Sequence, residues 1–201
     1  MTLYGFSKAA IHGVALLLWR VRARGTENVP REGALIIACN HVSLLDPPVL
    51  GAFCPRTIHY MAKAELFAVP ILGSLIRALG AYPVVREGSA AGAIKRSVEM
   101  LRRGEAIGIF PEGGRNVLGD APIRRGVALL ASLTGAPVLP AAIVGSRDAY
   151  RLERIAVIFG TPRRIEGERA TREELAKFAD AVMEEVHALA LHASVSWSQH
   201  A

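Results

Sequence analysis

Apolar positions in this chain fall into two rhythms, short unbroken runs and longer stretches striped at helical spacing. The run at 34–39 reads as a strand buried on both faces, as in parallel sheets, and 106–110 as a second buried strand; 57–63, 82–85, 138–144 and 155–159 read as further strands. Between them, 65–79 reads as a largely apolar helix interrupted at Pro70 and Gly73. A second helix opens at Ser89, is striped by Ile94, Val98 and Leu101 and closes at Gly104, and a third covers 122–134 and ends at Gly135. Thr171 and Glu174 form a capping box for a last helix on Leu175, Phe178, Val182, Val186 and Leu189. Arg172, Glu173, Lys177, Glu184 and Glu185 are its expected solvated face. Strands alternating with helices predict an α/β fold: one domain, with a mostly parallel or mixed sheet flanked by helices.

The N-terminal stretch is different. Leu3, Phe6, Ala10, Val14, Leu17, Leu18 and Val21 share a helical stripe. The apolar stretch from Ala9 to Trp19 contains His12 and is too short to span a bilayer. No small-residue cleavage site follows it, which argues against a signal peptide. Two readings stand: a helix packed on the protein's own core, or an amphipathic interfacial helix with Trp19, Arg20, Arg22 and Arg24 at headgroup level. The predicted organisation is a membrane-interface helix over 1–24, a catalytic domain over 25–193 and a flexible tail over 194–201. The helix at 65–79 either lies deep in the core or offers an apolar surface to a lipid tail.

Charge narrows the partner. A net +6 and a pI near 9.8 favour an anionic one: a phospholipid surface, nucleic acid or a phosphorylated substrate. Aromatics are few, and no basic run is interleaved with them, which argues against nucleic acid. Cys39 and Cys54 form neither a disulfide framework nor a zinc pattern. Both read as reduced, buried thiols, although Cys39 lies two residues from His41 and a cysteine nucleophile is the alternative. The histidines are scattered without ligand spacing, so no metal is expected.

The chemistry concentrates where strands end. The stretch 40–48, NHVSLLDPP, follows the first buried run and carries His41 and Asp46 five positions apart. On a continuous helix these would lie roughly 140° apart, but Pro47 disfavours the α region at Asp46 and predicts a turn that brings carboxylate to imidazole. A carboxylate on one ring nitrogen fixes the tautomer and stabilises the imidazolium, which describes a general base with its orienting partner. The plainer alternative is a loop histidine beside an aspartate that caps the helix starting at Pro47. Arg86 follows the strand at 82–85, and Pro111-Glu112-Gly113-Gly114-Arg115-Asn116 follows the strand at 106–110. Glycines let backbone N–H groups approach a phosphate, and arginine clamps its oxygens. Arg124 and Arg125 open the helix at 122–134, where dipole and cations both favour an anion.

In this order the blocks resemble the glycerolipid acyltransferase family, specifically the bacterial 1-acylglycerol-3-phosphate acyltransferases. The resemblance covers roughly 25–145. His41 to Asp46 matches the family's His, four residues, then Asp; 80–86 resembles its second block, which ends in arginine. Phe110-Pro111-Glu112-Gly113-Gly114-Arg115 resembles Phe-Pro-Glu-Gly-Thr/Ser-Arg, with Gly114 where the family usually has a hydroxyl residue. Val138-Leu139-Pro140 resembles the fourth block. The resemblance implies direct acyl transfer from acyl-CoA or acyl-carrier protein to the free hydroxyl of lysophosphatidate, giving phosphatidic acid. His41 would be the base and Asp46 its partner. Arg86 and Arg115, with Arg124 or Arg125 as a secondary site, would hold the acceptor phosphate, and Glu112, Gly113 and Gly114 would form the substrate loop. It implies no cofactor beyond the acyl donor. Because no stretch is long enough to span a bilayer, peripheral association with the anionic, cytoplasmic face of the membrane through residues 1–24 and the basic surface is expected. Another acceptor, such as glycerol 3-phosphate or another lyso-lipid, and a non-catalytic lipid-binding module are the alternatives.

Overall fold

A computed structural model describes residues 3–84, 90–111, 124–165 and 170–198. In chain order these form α1 (Leu3–Trp19), β1 (Arg22–Arg24), β2 (Leu35–Cys39), α2 (Asp46–Phe53), β3 (Ile58–Lys63), α3 (Leu72–Ala78), β4 (Ala81–Val84), α4 (Ala90–Arg102), β5 (Ala106–Ile109), α5 (Arg124–Thr134), β6 (Val138–Val144), β7 (Ala156–Phe159) and α6 (Arg172–Ser198). The sheet runs β1-β7-β6-β2-β5-β3-β4 and every pairing is parallel except β6 with β7. The expected α/β sandwich with a mixed sheet is what forms.

Both faces of β2 are buried, and alternate residues serve two separate cores. Leu35, Ile37 and Cys39 pack with Leu139, Ala141 and Ile143 under α1 and α2. Ile36 and Ala38 pack with Ile107, Ile109 and Val138 under α4, α5 and α6. Cys39 is therefore a fully buried core residue, its thiol against the Asn40 side-chain oxygen.

Helix α1 packs on the protein, but not through its apolar stripe. Its polar side faces the protein. The Tyr4 hydroxyl accepts from the Ile58 N–H, Lys8 donates to the Cys54 carbonyl, and His12 bonds the Ala52 carbonyl while stacking on Phe53. Ala15 is buried, and the Trp19 indole donates to the Ala149 carbonyl at 2.8 Å. These residues recur at helical spacing, and Lys8 and His12 satisfy carbonyls at the end of α2 that a helix cannot bond itself. Trp19 thus packs inward rather than at headgroup level. The apolar stripe points out: Phe6 is 65% and Leu17 80% exposed, with Val14 and Leu18 beside them.

The interruption expected at Pro70 forms, with a 3-10 turn over Ala64–Ala68 before it and the short α3 after it, whereas Gly73 lies inside α3 rather than breaking it. Two further expectations change. Glu185 is half-buried and paired rather than free in solvent; it accepts from the Arg163 guanidinium and the Thr161 N–H, tying α6 to the strand end after β7. Helix α6 continues to Ser198, beyond the point where its apolar stripe fades.

The capping box forms as read. Thr171 N–H donates to Glu174 Oε2 at 2.7 Å, and Glu174 N–H donates to Thr171 Oγ1 at 3.2 Å. The Thr171 amide holds the Glu174 carboxyl below the usual carboxylate range. Its contribution is complete above that range and is lost as pH falls through the lowered value. Replacing Thr171 by alanine should cost about 1 kcal/mol, read as a lower urea midpoint with unchanged slope.

Candidate active site

His41 and Asp46 meet at the carboxyl edge of β2. The chain leaves the strand at Asn40, bends through 43–45 and enters α2 at Asp46. Asp46 is thus the first helical residue, not a cap: Leu45 precedes it, and no side chain caps the helix. Its carboxylate turns back instead. Asp46 Oδ2 accepts from the Val42 N–H and the Ser43 N–H, both at 2.7 Å, and from His41 Nδ1 at 3.0 Å. The Asp46 side chain is completely buried and Oδ1 has no hydrogen-bond partner among the described residues. Two backbone amides already donate to Oδ2, so this oxygen meets the imidazole as an acceptor as well. Accepting from it is impossible, so His41 Nδ1 carries the proton, and the lone pair resides on Nε2. The ring is only 15% exposed.

Two residues that the spacing argument gave no role complete the arrangement. Phe110, immediately after β5, stacks on the His41 ring with centroids 4.4 Å apart and planes 28° apart. Behind Phe110 lies Tyr60 of β3, 6.0 Å away and nearly parallel. Tyr60 fits because residue 108 is glycine: a Cβ there would stand 2.4 Å from the Tyr60 ring. The second residue is Asn40, whose amide donates to the Ile143 carbonyl at 2.9 Å and accepts from the Ile143 N–H at 2.8 Å. It mimics one residue of a neighbouring strand and locks the turn to β6. A buried asparagine at the end of an apolar run must find such partners, and that was the legible clue.

Beside the turn, Asn40, Val42, Ile143, Val144, Arg147 and Leu191 line an open hollow of about 500 Å³, mainly apolar. Arg86, Glu112, Gly113, Gly114 and Arg115 lie outside the described residues. Arg124 and Arg125 are the first two residues of α5, at its N-terminal end, and their side chains are likewise outside the description. Strand pairing places the carboxyl ends of β4 and β5, at Val84 and Ile109, on the same sheet edge as His41.

Residues 20–144 match the family model Acyltransferase. The chain belongs to the acyltransferase family. Among this acyltransferase's relatives, the 1-acyl-sn-glycerol-3-phosphate acyltransferase of Bacillus subtilis is 35% identical over 164 residues, spanning 80% of this chain and 82% of that protein. The protein of the same name from Borreliella burgdorferi is 32% identical over 146 residues, 68% of this chain and 58% of its own. The crystal structure of the 1-acyl-sn-glycerophosphate (LPA) acyltransferase PlsC from Thermotoga maritima superposes with a TM-score of 0.68 at 27% identity, covering 93% of this chain and 78% of that one. The fold of this acyltransferase is therefore that of PlsC.

The aromatic column carries a prediction. Burial pushes the Tyr60 hydroxyl well above the usual tyrosine range, and it has no hydrogen-bond partner among the described residues. Tyr60→Phe should thus be neutral or stabilising, with unchanged turnover. Gly108→Ala should displace the Tyr60 ring, then Phe110 and the imidazole, and lower kcat by about 10- to 100-fold. Adding Tyr60→Val to Gly108→Ala should recover part of that loss; full activity in Gly108→Ala alone would show that the stack does not position His41.

Proposed function

We propose that this acyltransferase transfers a fatty acyl group from a thioester donor, acyl-CoA or acyl-carrier protein, to the free hydroxyl of 1-acylglycerol 3-phosphate. The product is phosphatidic acid, an intermediate of phospholipid synthesis. The reading is carried by the His41–Asp46 pair, an imidazole whose tautomer is fixed by a buried carboxylate, in a chain of this family and of these relatives. His41 Nε2 accepts the proton of the acceptor hydroxyl as that oxygen attacks the thioester carbonyl. The tetrahedral adduct collapses, the carbon–sulfur bond breaks, and the imidazolium returns its proton to the departing thiolate. Asp46 stabilises the imidazolium between these steps. No covalent acyl-enzyme is needed, in keeping with the burial of Cys39.

Arg86 and Arg115 are proposed to grip the acceptor phosphate, with Arg124 or Arg125 as a secondary contact and Glu112, Gly113 and Gly114 shaping the loop. Phosphate held next to a reacting hydroxyl gives orientation, the larger part of what such a site must supply. Among the described residues no helix is long and apolar enough to cross a membrane. The outward apolar face of α1 and the positive charge of the chain support peripheral binding to the anionic, cytoplasmic surface of the membrane through residues 1–24.

Purified protein mixed with acyl-CoA and lysophosphatidate should release thiol in step with phosphatidate formation. His41→Ala should reduce that rate by about 10²–10⁴, and normal turnover in this variant would overturn the mechanism. Thiol release without acceptor would indicate hydrolysis, and a panel of lyso-lipids would expose a different acceptor. Because α1 covers the core through Ala15 and Trp19, membrane binding is better tested by Phe6→Glu with Leu17→Glu than by truncation. The double variant should sediment less with anionic vesicles; undiminished binding would count against residues 1–24 as the anchor.

A further inference from the structure

Between β3 and α3 the chain does something that water does not favour. From Leu66 to Gly80 the only charged residue is Arg77, yet the fold leaves this run largely uncovered. Leu66, Val69, Ile71, Leu72 and Leu75 are exposed, Ile71 to 86%, while Phe67 and Gly73 are buried. Single exposed aliphatic residues need no explanation, but a contiguous apolar patch of this kind marks a contact surface.

The patch is built, not left over. The Leu72 N–H donates to the Pro70 carbonyl at 2.7 Å, with Ile71 between them at φ 65°, ψ −55°. That is a γ-turn of the rare, strained hand, and a β-branched residue at its apex is an outlier. Beneath it, Gly73 packs on the Phe67 backbone so closely that a Cβ would lie 2.3 Å from the Phe67 carbonyl oxygen. The Arg77 guanidinium lies over the Phe67 ring at 5.2 Å and donates to the same carbonyl at 3.4 Å. Both contacts brace the turn from inside. Their combined effect is to hold an isoleucine out of the fold in a conformation that glycine would adopt without strain.

Position decides what the isoleucine meets. Strands β2, β5 and β3 are parallel, so the segment leaves the sheet at the same edge as the His41–Asp46 turn. That turn carries Leu44 between the base and its acid, 70% exposed. Helix α3 touches α1, whose outer face is also apolar. We infer that residues 66–75 form a second bilayer contact: an apolar wedge tipped by Ile71 that seats the His41 edge of the sheet at the boundary between headgroups and acyl chains. The inference rests on the proposed lipid acceptor. Contact with a helix whose outer face is also apolar, a run whose one charge is a cation, and the net charge of +6 match an anionic lipid surface.

Two variants test it in the full chain. Ile71→Gly removes the side chain and suits the turn; Ile71→Glu puts a charge at the apex. Each is assayed with acyl-CoA and either long-chain lysophosphatidate in phosphatidylglycerol/phosphatidylcholine vesicles or a short-chain lysophosphatidate dissolved as monomer. Vesicle binding and vesicle turnover should fall about threefold or more for glycine and about tenfold or more for glutamate. Monomer turnover should stay within about twofold of wild type, and Ile71→Gly should melt at or above the wild-type temperature. Unchanged vesicle binding by Ile71→Glu overturns the wedge. An equal loss on the monomeric acceptor overturns it too, placing the segment in the acceptor site itself. So does a wild-type dimer that Ile71→Glu splits, which would make the patch a seat for a second copy. No thiol release by wild type with either form of lysophosphatidate would instead overturn the proposed acceptor, and vesicle binding would still report on the wedge.

Discussion

A buried negative charge governs the geometry of this site. Taken out of water, the Asp46 carboxylate is tolerable only where donors replace its hydration, and the 40–46 turn supplies them from its own backbone. Val42 and Ser43 amides and the His41 ring all converge on one oxygen. The turn therefore has one compact shape, and that shape fixes which imidazole nitrogen bears the proton. The same requirement explains why the acid stands at the start of α2. There the N-terminal end of the helix favours a carboxylate, and the side chain can reach back across the bend.

Around that centre the supports come from distant parts of the chain. Phe110 holds the ring face, Tyr60 backs Phe110, and Gly108 makes room for Tyr60. Asn40 fastens the turn to β6 by a pair of backbone hydrogen bonds. Alternation along β3 and β5 sends Tyr60, Gly108 and Phe110 to the α1–α2 side of the sheet, where apolar packing excludes water from the imidazole's flank. On the opposite side, α4, α5 and α6 cover Ile36 and Ala38. The site thus sits on a sheet with both faces protected, as parallel pairing requires.

Much of this could be read in the residues. Runs such as 138–144 and 106–110 are apolar on every position, and only a two-sided sheet accommodates that; the observed β6 keeps the predicted bounds. The meeting of His41 and Asp46 was expected, but the route differs: Asp46 is helical despite Pro47, and the bend that brings the two together lies at 43–45. What escaped was set by contacts between remote segments. Arg-Ala-Arg at 22–24 carries no strand signal of its own and becomes β1 because β7 offers it an edge. The apolar stripe of α1 was legible, but its direction was not, since Tyr4, Lys8 and His12 find partners on α2 and β3 that local pattern does not reveal. Glu185 looked like a surface charge until Arg163 arrived beside it.

The asparagine clamp has a consequence for biosynthesis. Asn40 and Ile143 are separated by 103 positions, and the strand carrying Ile143 forms only after five other strands have been made. As synthesis proceeds from the N-terminus, the first third of the molecule can emerge with its histidine and acid in place along the sequence but without the crosspiece that fixes their turn. Competence for acyl transfer is therefore a late property of the growing polypeptide. A chain interrupted before residue 143 is left without the strand that fastens its reacting group.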